Sequence, residues 1–122
     1  MNLKWGVIGA GSVAQRRAMP AINKAINAEL HALMSRDEVR AKQLAETHGA
    51  SKYYTSVADL ISDTELDAVY ISTPVYMHCE PTIEAAENGL HIMCDKPMAM
   101  NVNECQRMID ACSSNGVQLQ IC

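Results

Sequence analysis

Short apolar runs alternate with segments of helical periodicity along the whole chain, and this alternation constrains the fold more than any other feature of the sequence. The runs have the length and apolar character of buried strands. They cover residues 3–8, 28–34, 52–54, 68–71, 91–94 and 117–121. Strands joined by right-handed helical crossovers form a parallel sheet with helices on both faces. We therefore predict an α/β fold, a doubly wound parallel sheet in three αβα layers, that forms one domain over residues 1–122.

Polar residues at capping positions mark the starts of three predicted helices. Ser35, Ser56 and Asn101 each precede an acidic residue by three positions, which is the spacing of the capping box. The helix after the first strand is predicted to begin at about Ser12. It is predicted to be interrupted near Pro20, where a second helical segment can start with proline in its first turn.

The segment after the first predicted strand reads Gly9-Ala10-Gly11-Ser12-Val13-Ala14 and matches the pattern Gly-x-Gly-x-x-Ala. In dinucleotide-binding proteins the first glycine permits a tight turn, and the second lets the backbone approach a pyrophosphate. The small third residue lets the helix pack on the strand, and the helix start supplies N–H groups. Any close-packed strand–helix turn can carry such residues, but here the pattern has the required strand before it and helix after it. We therefore predict a Rossmann fold in which residues 9–14 bind a dinucleotide.

The end of the second predicted strand reads Ser35-Arg36, where a site that prefers NAD usually carries an acid. Arg36 lies 25 residues beyond Gly11 (36 − 11), close to the expected position of the residue that reads the ribose. A guanidinium there can bind a 2′-phosphate through two hydrogen bonds and stack on adenine. The alternative is a solvated arginine beside a helix cap. We favour NADP over NAD as the cofactor and predict that Ser35 and Arg36 bind it.

Two further strand ends carry residues able to take part in chemistry. Ser72-Thr73-Pro74 and His78 follow the fourth predicted strand, and Asp95-Lys96-Pro97 follows the fifth. In an open parallel sheet, ligands bind beyond the carboxyl ends of the strands. On the residues alone, an exposed lysine at a strand end is more often surface charge than a catalytic group, and His78 is as readily a polar residue at a helix start.

Taken together, these segments resemble the N-terminal domain of the glucose–fructose oxidoreductase and inositol dehydrogenase family. The resemblance runs from the glycine loop to residues 89–97, where the family's signature Glu-Lys-Pro is replaced by Asp95-Lys96-Pro97. It implies that Lys96 is catalytic, lying beside the nicotinamide and donating a hydrogen bond to the reacting oxygen of the substrate. It also implies cofactor-binding roles for Ser72, Thr73, Pro74, His78, Asp95, Lys96 and Pro97.

The resemblance implies the cofactor-binding domain of an NAD(P)-dependent oxidoreductase. Such an enzyme transfers hydride between the nicotinamide and a hydroxyl or carbonyl carbon of a sugar, polyol or related small molecule. Members of the family continue into a second domain that supplies most substrate contacts. We therefore expect this chain to be part of a longer, homo-oligomeric protein, and to bind the nucleotide by itself while turning over substrate poorly or not at all.

Two other functions stay open at this stage. One is a non-catalytic nucleotide-binding sensor or subunit, which has no need of a cation such as Lys96. The other is an S-adenosylmethionine-dependent methyltransferase, which also uses a glycine loop after its first strand. That class normally has an acid after the second strand, so Ser35-Arg36 argues against it.

Composition narrows the partners and the compartment. The net charge is −4, and the basic residues form no run longer than Arg16-Arg17, so we expect no nucleic-acid partner. The chain has no apolar stretch long enough to span a membrane, so we expect no membrane partner. Five cysteines without a Cys-x-x-Cys pair predict reduced thiols in the cytoplasm and no metal site. The remaining histidines are interpreted as structural: His31, His48 and His91.

Overall fold

A computed structural model describes residues 1–122 and contains one six-stranded sheet in which every pair of neighbouring strands is parallel. The strand order is β3-β2-β1-β4-β5-β6. This order and the flanking helices confirm the predicted doubly wound Rossmann fold. The strands are β1 (Leu3–Ile8), β2 (Ala28–Met34), β3 (Lys52–Tyr54), β4 (Ala68–Ile71), β5 (His91–Cys94) and β6 (Leu119–Ile121). The α-helices are α1 (Met19–Lys24), α2 (Glu38–His48), α3 (Val57–Ile61), α4 (Cys79–Glu87) and α5 (Val102–Ser114).

The two faces of the sheet carry separate apolar clusters, because successive side chains of a strand point to opposite faces. In β1, Val7 belongs to the cluster beneath α1 and α2, whereas the next residue, Ile8, belongs to the cluster beneath α3, α4 and α5. Both side chains are fully buried. The sheet is therefore the middle of three layers. None of the helices is both long and apolar enough to cross a membrane.

The last strand, β6, begins later than predicted. The sixth strand was predicted from residue 117 but begins at Leu119. Val117 donates its backbone N–H to the Cys112 carbonyl, and this hydrogen bond closes the end of α5 instead of joining the sheet. A helix end must satisfy its last carbonyl groups before the chain can pair as a strand.

Two of the three predicted helix caps are confirmed and one is wrong. The Ser56 hydroxyl accepts a hydrogen bond from the Asp59 N–H at 3.1 Å, and the Asn101 side chain accepts one from the Glu104 N–H at 2.9 Å. Ser35 does not cap α2, because its own N–H still donates to the Tyr54 carbonyl and continues the pairing between β2 and β3. Asp37 caps α2 instead.

The predicted interruption near Pro20 takes the form of a wider helical turn and not of a break. Residues Ala14–Ala18 form a π-helical segment that runs directly into α1, and the Met19 N–H donates to the Ala14 carbonyl five residues earlier. A proline ring in a regular α-helix lacks the N–H donor and clashes with the carbonyl four residues back. An extra residue in the turn before Pro20 accommodates it without ending the helix.

A polar cluster with buried His31 and Asp63 at its centre joins three segments at the edge of the sheet near β3. Asp63 accepts a hydrogen bond from the Tyr54 hydroxyl at 2.9 Å, and the His31 ring nitrogen Nε2 lies 3.2 Å from the same oxygen. The Lys52 ammonium lies 3.6 Å from that oxygen and 2.9 Å from Glu65. These contacts fit the structural interpretation of His31. The Lys4 ammonium lies 3.3 Å from Glu65, so two lysines face the two carboxylates.

The electrostatics of this cluster favour an ionised Asp63. Burial opposes ionisation, but hydrogen bonds from the Glu65 N–H and the Tyr54 hydroxyl, with the charges of His31 and Lys52, outweigh it and lower the pKa of Asp63. A carboxyl group whose pKa is lower in the folded state than in the unfolded state stabilises the fold above the unfolded value. That contribution is lost as the pH falls through the folded value.

We predict that Asp63→Asn lowers the free energy of unfolding at pH 7 by about 1–3 kcal/mol, because the buried donors lose an ionised acceptor. The difference from the unchanged protein should narrow as the pH falls below the ordinary aspartate value of 3.8. Urea unfolding at a series of pH values measures both effects. Asp110→Asn, on an exposed side chain, is the control. A difference that stays constant with pH would show that the Asp63 charge is not the source.

Candidate functional site

The carboxyl ends of four strands lie in one row at the same edge of the sheet. Ile8 is in register with Met34 of β2 and with Ile71 of β4, and Ile71 is in register with Cys94 of β5. Neighbouring strands are about 4.8 Å apart, so the ends of β1 and β5, which are separated by β4, are about 10 Å apart. The predicted segments that follow these strands therefore share one edge. They begin at Gly9, Ser35, Ser72 and Asp95.

An open cleft lies at this edge, next to the point between β1 and β4 where the strand order reverses. Open α/β sheets bind their ligands at this position. The predicted residues that line the cleft are Gly9, Ala10, Gly11, Ser35, Arg36, Ser72, Thr73 and Pro74. Three further residues, not predicted from the sequence, also line it: Met34, Arg40 and Met77.

The two glycines of the loop have different structural roles. Gly9 has φ of 87°, and a Cβ atom added there would lie 2.9 Å from the Ser72 carbonyl oxygen and 2.9 Å from Thr73 Cγ2. The absence of a side chain at Gly9 therefore lets the glycine loop contact the loop after β4. A Cβ added at Gly11 would have no atom within 4 Å. The fold does not require glycine at position 11, and the bare backbone there faces the cleft.

The helix that follows the glycine loop presents free donors beside the cleft. The Gly11 N–H donates to the Gly9 carbonyl, and the Gln15 N–H donates to the Gly11 carbonyl. Between them, the N–H groups of Ser12, Val13 and Ala14 donate to no acceptor in the protein. The first N–H groups of a helix have no partner within the helix and attract anions. Ala14 is fully buried, so among these three residues only Ser12 and Val13 are exposed to a ligand.

A second guanidinium group reaches the cleft beside Arg36. The Asp37 carboxylate caps α2 by accepting the N–H groups of Val39 and Arg40, at 3.0 and 3.3 Å. This helix start directs the Arg40 side chain toward the glycine loop, where it donates to the Ala10 carbonyl at 3.3 Å. The Arg36 side chain is exposed and makes no hydrogen bond or ion pair within the protein. With Asp37 recognised as the cap, the sequence would have indicated Arg40 as well.

The Asp95 carboxylate is held by neighbouring side chains of the sheet edge. The Tyr70 hydroxyl donates to one of its oxygens, and the Ser72 hydroxyl donates to the other at 2.8 Å. Burial, reinforced by the hydrogen bond to Asp95, raises the pKa of Tyr70 well above its ordinary range. Tyr70 therefore stays protonated as a donor. Both carboxylate oxygens have partners within the protein, so the role shown for Asp95 is to tie β4 to the loop after β5.

Lys96 and Pro97 follow Asp95 at the same edge but do not line the cleft. Both are exposed. The Lys96 backbone N–H donates to the Cys122 carbonyl at 2.8 Å, whereas its ammonium group has no hydrogen-bond or ion-pair partner. The structure therefore fixes the Lys96 backbone and leaves the charged end of the side chain available to a ligand.

His78 makes different contacts from those predicted. Its side chain is 1% exposed and does not line the cleft. The ring nitrogen Nε2 lies 2.8 Å from the Thr73 carbonyl oxygen, and Nδ1 lies 2.9 Å from the Pro97 carbonyl oxygen. A neutral imidazole can donate to one of these oxygens, and a protonated one to both. The prediction that His78 lines the nicotinamide half of the cofactor gains no support from this placement.

Comparison with known proteins identifies the family and supports the fold. The family model described as "Oxidoreductase family, NAD-binding Rossmann fold" matches residues 3–122. The chain belongs to the Gfo/Idh/MocA family. It is an NAD(P)-binding Rossmann domain of that oxidoreductase family, as the resemblance implied. Membership in this family favours the oxidoreductase prediction over the methyltransferase alternative.

Individual relatives cover the whole domain. The chain is 37% identical to a 1,5-anhydro-D-fructose reductase of Ensifer adhaerens, over 95% of this chain and 34% of that protein. It is 35% identical to D-xylose 1-dehydrogenase (NADP(+)) 2 of Haloferax volcanii, over 96% of this chain and 36% of that protein. A 3-ketoreductase from Actinomadura kijaniata, solved with NADP and TDP-benzene, superposes with a TM-score of 0.95 at 29% identity, covering 99% of this chain and 37% of that one. The chain thus spans about a third of the length of these relatives.

We predict that Gly9→Ala lowers the free energy of unfolding by at least about 1–2 kcal/mol. The change forces a side chain into a positive-φ backbone and against the Ser72 carbonyl. Gly11→Ala is the matched control and should change stability by no more than about 0.5 kcal/mol, because its Cβ meets open space. Urea unfolding of both variants without ligand measures the difference. Equal destabilisation would contradict the assignment of the loop contact to Gly9.

Proposed function

We propose that the chain binds NADP(H) in preference to NAD(H) and forms the cofactor-binding part of an enzyme that acts on a sugar, polyol or related small molecule. One arrangement supports this proposal above the others. The bare backbone of Gly11 lines a single cleft together with Arg36 and Arg40, and the exposed residues Ser12 and Val13, whose N–H groups have no acceptor, follow Gly11 directly.

The residues of the cleft fit a dinucleotide. A side chain at Gly11 would occupy open space beside the helix start, where a pyrophosphate would approach the backbone. The neighbouring N–H groups and the helix dipole attract negative charge at the same place. When bound, the nicotinamide supplies hydride transfer. The protein's task is to hold that ring near the loops after β4 and β5 and to hold the adenosine near the end of β2.

The preference for NADP rests on the charges at the end of β2. No carboxylate lines the cleft, so a 2′-phosphate meets no like charge there. Arg36 and Arg40 bring two guanidinium groups, and Ser35 brings a hydroxyl group, to the same part of the cleft. Planar guanidinium groups suit two-pronged recognition of a phosphate. The Haloferax volcanii relative is named for NADP(+), and the Actinomadura kijaniata structure contains NADP.

Lys96 is the proposed catalytic residue. Its ammonium group has no partner in the protein, and it stands two strands away from the glycine loop at the same edge of the sheet. A cation there can donate a hydrogen bond to the substrate oxygen and stabilise the negative charge that develops on it during hydride transfer. Thr73, Pro74 and Met77 supply the wall of the cleft on the side of β4.

The remaining proposals concern the whole protein. The relatives are about three times as long as this chain, and we propose that residues outside the domain complete the substrate pocket. A homo-oligomeric full-length protein and a cytoplasmic location stay predictions. The five cysteines are free thiols, which is consistent with a reducing compartment.

We predict that Arg36→Gln and Arg40→Gln each weaken NADPH binding by roughly ten- to a hundredfold, the usual effect of losing a hydrogen bond to a charged group. NADH binding should change little, because NADH has no 2′-phosphate. Isothermal titration with both nucleotides measures the effect. Arg17→Gln, an exposed arginine outside the cleft, is the control and should change neither affinity. Equal losses for NADPH and NADH would show that these arginines do not read the phosphate.

We also predict that Gly11→Ala weakens NADPH and NADH to a similar extent, by about tenfold or more. The added methyl group would hold the pyrophosphate away from the backbone that both nucleotides use. The same titration measures this, and the unfolding experiment on this variant shows whether the protein stays folded. Unchanged affinity for both nucleotides would place the pyrophosphate elsewhere.

A further inference from the structure

Both the backbone and the side-chain ring of His78, at the start of α4, make polar contacts within the protein. Its N–H donates to the Val75 carbonyl at 3.1 Å, and its carbonyl accepts the Thr82 N–H at 3.3 Å. The side chain is buried, although it carries two polar nitrogens. Burying polar atoms is costly unless they are hydrogen-bonded, and each nitrogen here lies within hydrogen-bond distance of a carbonyl oxygen, to which it donates when protonated. The ring is therefore fixed in one orientation.

The two carbonyl partners of the ring belong to different loops. Thr73 lies in the loop after β4 and lines the cleft, whereas Pro97 lies in the loop after β5 and directly follows Lys96. At the first residue of each loop, the Ser72 hydroxyl donates to Asp95. Farther from the sheet, the hydrogen bonds that bridge the two loops pass through the His78 ring.

The position of Lys96 depends on these backbone contacts. Its ammonium group has no partner in the protein, so only the backbone determines where the side chain starts. On one side, the Lys96 N–H is held by the Cys122 carbonyl. On the other side, the Pro97 carbonyl is held by His78.

The His78 ring is also connected to the glycine loop, because its partner Thr73 packs against Gly9. The Thr73 methyl group and the Ser72 carbonyl lie so close to Gly9 that a Cβ there would be 2.9 Å from each. The Thr73 hydroxyl donates to the Met77 carbonyl at 3.2 Å, which keeps this loop folded over His78. Contacts therefore run from the glycine loop through Thr73 and His78 to the backbone beside Lys96.

We propose that His78 is a positioning residue: its buried ring bridges the Thr73 and Pro97 carbonyl oxygens and thereby sets the distance between the wall of the cleft and Lys96. The inference rests on the proposed function, because the part of the cofactor affected is the nicotinamide half. When both ring nitrogens are protonated, the ring donates to both oxygens, whereas a glutamine side chain carries its two N–H donors on one nitrogen and cannot place them on opposite sides. His78→Gln therefore retains at most one of the two links.

The experiment compares two probes, NADPH and 2′,5′-ADP, which contains the adenosine half and the 2′-phosphate but no nicotinamide. In His78→Gln we expect NADPH to bind about three- to tenfold more weakly, the effect of losing one ordinary hydrogen bond. The affinity for 2′,5′-ADP should stay within about twofold, since the arginines and the glycine loop remain. His31→Gln, at another buried histidine that does not line the cleft, is the control and should leave the ratio of the two affinities unchanged.

The outcomes separate the inference from the proposed function. If the unchanged protein binds neither probe, the proposed function is wrong. If it binds both but His78→Gln weakens them equally or not at all, His78 does not position the nicotinamide side. Equal affinity of the unchanged protein for the two probes would also overturn the inference, because the nicotinamide half would then contribute nothing.

A second measurement needs no variant and covers the case in which His78→Gln fails to fold. Nuclear magnetic resonance of the unchanged protein, with ¹⁵N-labelled histidine, follows the ring signals of His78 during titration. NADPH should shift these signals more than 2′,5′-ADP does, because its nicotinamide half reaches the loops that the ring joins. Identical shifts with the two probes would contradict the inference.

Discussion

The close contact between the glycine loop and the loop after β4 depends on the missing side chain of Gly9. The two loops leave strands that lie side by side and in register, so they must pass each other within a few ångströms. A methyl group at Gly9 would meet the Ser72 carbonyl, and the positive φ would add backbone strain. This single contact fixes the start of the first helix relative to Thr73. The cleft, the free N–H groups and the contacts of His78 all build on that arrangement.

Much of this architecture follows from patterns that are local in the sequence. The strand–helix alternation predicted the sheet, and the strand before Gly9 with the helix after Gly11 predicted the loop between them. The order of strands then brought the ends of β1, β2, β4 and β5 to one edge without further information. The helix caps at Ser56 and Asn101 could also be predicted from nearby residues, since each is a hydrogen bond between a side chain and an N–H group three residues later.

The features that the sequence did not predict depend on partners distant in the chain. Ser35 looked like a cap, but its N–H pairs with Tyr54 of the neighbouring strand, so Asp37 takes the role and brings Arg40 to the cleft. The burial of His78 depends on Pro97, nineteen residues later (97 − 78). The hydrogen bonding of Asp95 depends on Tyr70, whose position is set by the register of β4 and β5. Such contacts require the assembled sheet.

Several hydrogen-bond donors without partners in the protein lie at the edge of the sheet where the strands end. The N–H groups of residues 12–14, the guanidinium of Arg36 and the ammonium of Lys96 have no hydrogen-bond acceptor in the protein. At the β3 edge of the sheet, by contrast, Asp63 and Lys52 are paired with each other. Unpaired donors of one sign, held on a rigid edge, are what an anionic cofactor and a developing alkoxide need, because their charge is not consumed by internal contacts. The free positive charges of Arg36 and Lys96 and the free N–H groups of Ser12 and Val13 therefore make this edge suitable for binding an anionic cofactor.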